Sequence, residues 1–94
     1  MDYLRYNDSM TPDQVELTKY LTDVLHQLRL LQGTVSKRNK TKKYKAIGSI
    51  LTIVKGRVDA TYQYVKAGGH AEFSVIIQQQ MYDPILKWLE AEIG

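Results

Sequence analysis

The side chains best suited to chemistry are few, and they stand apart. His26 and His70 are the two histidines, 44 positions from each other, and no His/Glu pair falls at helical spacing to make a metal site. His26 falls inside a helical pattern beside its apolar seam, the place of a boundary residue. His70 follows Gly68-Gly69, where a loop acid or base, or a helix start, would fit. No glycine-rich phosphate loop occurs, since Gly48 and Gly56 are isolated, and no Gly-x-Ser-x-Gly elbow occurs. Cysteine is absent, which excludes a disulfide framework, an iron–sulfur cluster and a thiol nucleophile. The sequence therefore predicts a non-enzymatic protein with no catalytic residue, no metal, no cofactor and no small-molecule substrate. An enzyme built on His70 is the minor alternative.

The sharper feature is a run of charge. Lys37, Arg38, Lys40, Lys42, Lys43 and Lys45 place six cations in nine residues. The formal net charge of +3 hides their setting: residues 1–23 carry −3, residues 24–71 carry +9 and residues 72–94 carry −3. A basic block thus lies between two acidic ends. Such a run suits a solvated connector, a phosphate-contacting segment, or a contact with the acidic ends of another copy. Asn39, Thr41 and Tyr44 interleave amide, hydroxyl and ring groups that bond phosphates or stack on bases. Lys55 and Arg57 extend the basic character, but two residues apart they lie about 160° from each other on a helix. The pattern predicts general phosphate contact, not base readout from a helix in the major groove. A helix-turn-helix is not expected, because the link between the first two helices reads as long, polar and basic.

The elements that would position these groups follow from apolar spacing. Thr11-Pro12-Asp13-Gln14 has a cap, a first-turn proline and a glutamine at the capping-box position. Leu17, Leu21, Val24, Leu28, Leu31 and Val35 then follow steps of 4, 3, 4, 3 and 4, widened by Tyr20, Leu25 and Leu30. Gly33 is the expected weak point or end. After the basic connector, Tyr44, Ile47, Leu51, Val54, Val58, Thr61 and Val65 repeat the 3/4 spacing, and Gly68-Gly69 stops the helix. Gly48, Thr52, Gly56 and Ala60 form a small-residue row that lets another backbone come close. Phe73, Ile76, Ile77, Met81, Ile85, Trp88 and Leu89 are expected to lie on one face of a third helix, with Asp83-Pro84 giving a kink or a fresh start.

The expected fold is all-α: two long antiparallel helices with a basic connector, plus a shorter third helix interrupted by proline. Residues 1–10 read as an N-terminal arm and residues 11–94 as one helical domain. The alternative is α+β in the order α-β-β-β-α. It rests on the β-branched and aromatic residues of 46–77 and on a hairpin at Gly68-Gly69. The 3/4 seam that persists from Tyr44 to Val65, and poor alternation in 46–54, favour the helices.

Three unequal helices leave part of the long pair uncovered, so a protein partner or a homo-oligomer is expected. Leu28 and Val54 are the central anchors expected there. Seven tyrosines add to this: Tyr62 and Tyr64, two apart, cannot both be core, so one faces a partner or solvent. No apolar run reaches the roughly 20 residues of a membrane span. The start of the chain lacks a secretory pattern, so no membrane association and a cytoplasmic location are expected.

The functional expectation is a small helical assembly or accessory protein. It would bind protein through apolar helix faces and nucleic acid or another polyanion through Lys37, Arg38, Lys40, Lys42, Lys43, Lys45, Lys55 and Arg57. A phage or nucleoprotein-complex component fits that description. The alternative is a protein-binding regulator or inhibitor that docks on a larger enzyme without nucleic acid.

Overall fold

The computed structural model describes residues 11–38, 41–69 and 74–93. The expected arm at 1–10, and with it Asn39, Lys40, His70 and Phe73, lies outside the described residues. Three helices follow one another: α1 (Pro12–Lys37), α2 (Lys42–Lys66) and α3 (Val75–Ile93). Among the described residues there is no strand, so the α+β alternative gives way to the all-α fold.

α1 starts as its sequence dictates. The Gln14 amide N–H donates to Thr11 Oγ1 at 3.2 Å, and the Thr11 N–H donates to Gln14 Oε1 at 2.8 Å, closing a capping box. Gln14 also reaches across the fold, donating from Nε2 to the Gly69 carbonyl at 2.8 Å. That bond joins the start of α1 to the turn that ends α2. At the opposite end, a Cβ on Gly48 would stand 3.2 Å from Val35 Cγ1, so the glycine lets the end of α1 approach the start of α2. Together these contacts make α1 and α2 antiparallel along their lengths.

Helix α3 runs parallel to α1. Tyr20 donates its hydroxyl to Asp83 Oδ1 at 2.7 Å, and Arg38 donates from Nη1 to the Ile93 carbonyl at 3.2 Å. The core lies between the three helices. It contains Leu17, Leu21, Val24, Leu25, Leu28 and Val35 of α1, Ile47, Leu51, Val58 and Val65 of α2, and Tyr82, Leu86, Leu89 and Ile93 of α3. The two long seams are thus buried much as their spacing predicts, with Leu31, Tyr44 and Val54 packed at the edge.

Four expectations need correction. Gly33 does not end α1, which continues to Lys37, because Val35 beyond it is buried and its packing outweighs the roughly 1 kcal/mol helix cost of a glycine. The long basic connector is not there: Lys37 belongs to α1, and Lys42, Lys43 and Lys45 belong to α2, leaving only 38–41 between them. The length of the link therefore no longer argues against a helix-turn-helix. The lengthwise antiparallel pairing of helices of 26 and 25 residues does, since that motif crosses its helices at about 90–120°. α3 is one helix through Pro84, not an interrupted one. Pro84 supplies no N–H to the Gln80 carbonyl, and both residues are exposed.

The fourth correction concerns the face of α3. Ile76, Ile77, Met81 and Trp88 are exposed, Ile85 is half-buried and Leu89 is buried. The inward stripe is instead Gln78, Tyr82, Leu86, Leu89 and Ile93. Two polar contacts flank this stripe. Asp83 meets Tyr20, and Glu92 meets Lys43 with Nζ 3.4 Å from Oε2. Nine residues apart, they lie half a turn out of phase, on opposite flanks of the inward stripe.

The stop after α2 behaves as expected. Gly68 takes φ 94°, its N–H donates to the Val65 carbonyl, and the Gly69 N–H donates to the Tyr64 carbonyl at 2.9 Å. This is a Schellman turn, and the left-handed φ is why glycine stands at 68.

Candidate nucleic-acid interface

The shortened link gathers the basic block at one end of the bundle. Lys37 lies in the last turn of α1, Arg38 follows it, and Lys42, Lys43 and Lys45 occupy the first turn of α2. All five are exposed. Thr41 caps α2 by accepting from the Tyr44 N–H at 3.2 Å. That leaves lysines clustered at the positive end of the α2 dipole, with no acidic residue in the first turn. Each like charge there opposes the dipole by roughly 0.3–1 kcal/mol. The start of α1 shows the opposite and favourable choice, with Asp13 in its first turn.

The end of α3 partly balances this block. Arg38 binds the Ile93 carbonyl at the negative end of the α3 dipole, and Lys43 pairs with Glu92. The pair is solvent-exposed and worth little to stability. Among the described residues, Lys37, Lys42 and Lys45 have no carboxylate partner. Beside them an open groove of about 400 Å³ runs between the end of α1 and the start of α2. Gln32, Ser36, Tyr44, Lys45, Ser49 and Thr52 line it, and the Ser49 and Thr52 hydroxyls donate to the Lys45 and Gly48 carbonyls of their own helix.

Lys55 and Arg57 do not join this end. Lys55 is ten residues beyond Lys45, about 15 Å along α2, and is half-buried. Arg57 is exposed on a different flank of the helix. Of the small-residue row, Gly48 alone meets another helix closely; a Cβ on Gly56 would meet nothing within 4 Å.

The expected partner residues divide. Leu28 is wholly inside the chain's own core and offers nothing to a partner while the chain is folded. Val54 and Tyr62 pack half-buried against that core. Lys66 Nζ lies 5.5 Å from the Tyr62 ring centroid. Tyr64 is 55% exposed. Sequence reasoning puts Ile76, Ile77, Met81 and Trp88 on one face with Leu89, and misses that the first four point outward while Leu89 is buried. The signal was available: α3 has more apolar residues than one inward stripe can hold.

Elsewhere the chemistry is sparse. His26 is exposed on α1. Burial, and after it the Asp83 carboxylate, hold the Tyr20 phenol well above its ordinary pKa, so it remains a donor. Among the described residues no group of three or more histidines and carboxylates stands close enough to hold a metal ion. Nor, among them, is any helix long and apolar enough to cross a membrane. No protein-family model matches the chain, and no curated protein and no solved structure matches it.

Proposed function

We propose that the chain is a small non-enzymatic accessory protein that grips nucleic acid through its basic end and protein through its outward apolar helix faces. The observation that carries the nucleic-acid reading is the lysine-rich first turn of α2. Lys42, Lys43 and Lys45 sit where the helix dipole disfavours cations, an arrangement that costs stability in the free chain. A phosphate held among them removes that cost and accepts from the N–H groups of the helix start as well. Lys37 and Arg38 extend the surface across the turn. The contact is with backbone phosphates, since among the described residues all three helices pack into the bundle and none stands clear to enter a groove.

Fluorescence anisotropy with labelled single- and double-stranded DNA and RNA tests this at about 50 mM salt. Binding by the wild type, lost in Lys42→Glu/Lys43→Glu with helicity unchanged by circular dichroism, is the expected result. No binding to any of the four ligands would overturn it. That outcome would favour the regulator reading, in which the basic end meets an acidic protein surface. Arg38 and Lys43 already engaging the carbonyl and carboxylate of α3 is the observation on that side.

A further inference from the structure

The outward side of the bundle carries two apolar stripes that the fold leaves uncovered. On α3, Ile77, Met81, Pro84 and Trp88 follow steps of 4, 3 and 4. On α2, Ala46, Ile50, Ile53, Arg57, Ala60 and Tyr64 follow steps of 4, 3, 4, 3 and 4. All ten residues are exposed. Each stripe is a second a/d seam, parallel to the one already buried in the core.

The two seams border the same groove. Lys43 and Glu92 meet across the boundary between α2 and α3. Ile50, seven residues after Lys43, returns to nearly the same helical angle, and Trp88 is one turn before Glu92. Met81 lies about 160° around α3 from Asp83, which faces α1 through Tyr20. Both stripes therefore flank the α2–α3 line. Leu30 and Ile76, also exposed, lie away from it.

We infer that this face is covered by a second copy of the chain, with the two-fold axis running along the helices so that α2 of each copy lies on α3 of the other. It rests on the reading that the outward faces bind protein, and names the partner. Three features favour this occupant. The first is charge. At the basic end Lys43 and Glu92 continue the two seams, while Asp83 and Glu90 lie on the α1 side of α3. A two-fold contact of this kind sets Lys43 of each copy level with Glu92 of the other.

The second feature is shape. With Lys43 level with Glu92 in an antiparallel pair, Ala46 falls level with Trp88, Ile50 and Ile53 with Pro84 and Met81, and Arg57 with Ile77. An axis along the helices keeps those levels between copies, so Ala46 of one copy receives Trp88 of the other, Ile50 and Ile53 meet Pro84 and Met81, and the Arg57 stem lies on Ile77. The third is area. Ile50, Ile53, Tyr64, Ile77, Met81 and Trp88 are between 39% and 61% exposed. At roughly 200 Å² per large side chain they present on the order of 600 Å² per chain. Two chains then bury about 1,200 Å², where stable specific interfaces begin. A patch of that size is at the top of the range for a lone monomer, where such patches are often functional. Arg57 is the single charged residue in either seam, and its long stem reaches the rim of the contact.

Sedimentation velocity of the full chain from about 1 to 100 µM tests the inference, with Ile53→Glu, Met81→Glu and Arg57→Leu as variants. The expected result is a concentration-dependent species of twice the monomer mass. Ile53→Glu and Met81→Glu should remain monomeric with unchanged helicity, and Arg57→Leu should associate about tenfold more tightly. A dimer insensitive to both glutamates but lost in Leu30→Glu would overturn the inference by moving the interface to α1. A monomeric wild type would also overturn it. If that monomer bound an apolar dye that Met81→Glu no longer binds, the face would belong to a different protein; with no dye binding, the docking reading would fail too.

Discussion

Gln14 shows how much one side chain can hold. Its backbone and side chain close the capping box with Thr11, and its Nε2 ties α1 to the Gly69 carbonyl beyond α2. The first pair was legible in the sequence, because Thr11 and Gln14 stand at the spacing the box requires. The second was not, since nothing local indicates a bond across 55 residues. The two roles separate by substitution. Gln14→Glu keeps the box but cannot donate to Gly69, and it buries a carboxylate at the joint. Gln14→Ala loses both side-chain contacts, while its backbone N–H still donates to Thr11 Oγ1, and should cost about 1–3 kcal/mol, read as a lower midpoint in urea. Unchanged stability in Gln14→Ala would remove the joint from the account.

Helices differ in how much of their rotation the sequence determines. α1 and α2 each show a strong 3/4 seam, and the fold buries Leu17, Leu21, Val24 and Leu28 against Ile47, Leu51, Val58 and Val65. α3 carries apolar residues around more of its circumference, so periodicity alone admits two inward faces. The face that packs carries Tyr82, Leu86, Leu89 and Ile93, with Asp83 on Tyr20 and Glu92 on Lys43 at its flanks, and these are contacts between helices that no local pattern contains. The basic block was legible as charge but not as shape, because helix propensity carried both flanking helices into it. Its lysines at the start of α2 give a prediction of opposite signs. Lys42→Glu replaces an unfavourable charge at the positive end of the dipole with a favourable one, and should raise stability by about 0.5–2 kcal/mol. The same change should weaken nucleic-acid binding. Thermal denaturation beside anisotropy checks both, and a variant losing stability and affinity together would point to a purely structural role for Lys42.

At the scale of the whole molecule, the bundle separates two surfaces. The end formed by the close of α1 and the opening of α2 concentrates cations, and the α2–α3 side presents apolar seams. A pair of chains related along the helix axis sets both basic ends side by side, doubling the charge that faces a polyanion. The central claim is that this end holds phosphates, and the salt dependence of binding tests it most directly. Lys37, Lys42 and Lys45 are unpaired among the described residues, and Arg38 and Lys43 are exposed beside them. Four phosphates neutralised on single-stranded DNA give a slope of log K against log salt of about −3, a loss of roughly fiftyfold between 50 and 200 mM. The expected slope for Lys42→Glu/Lys43→Glu is shallower by about 1.4. A wild-type slope near zero, or one that the double reversal leaves unchanged, would contradict the account.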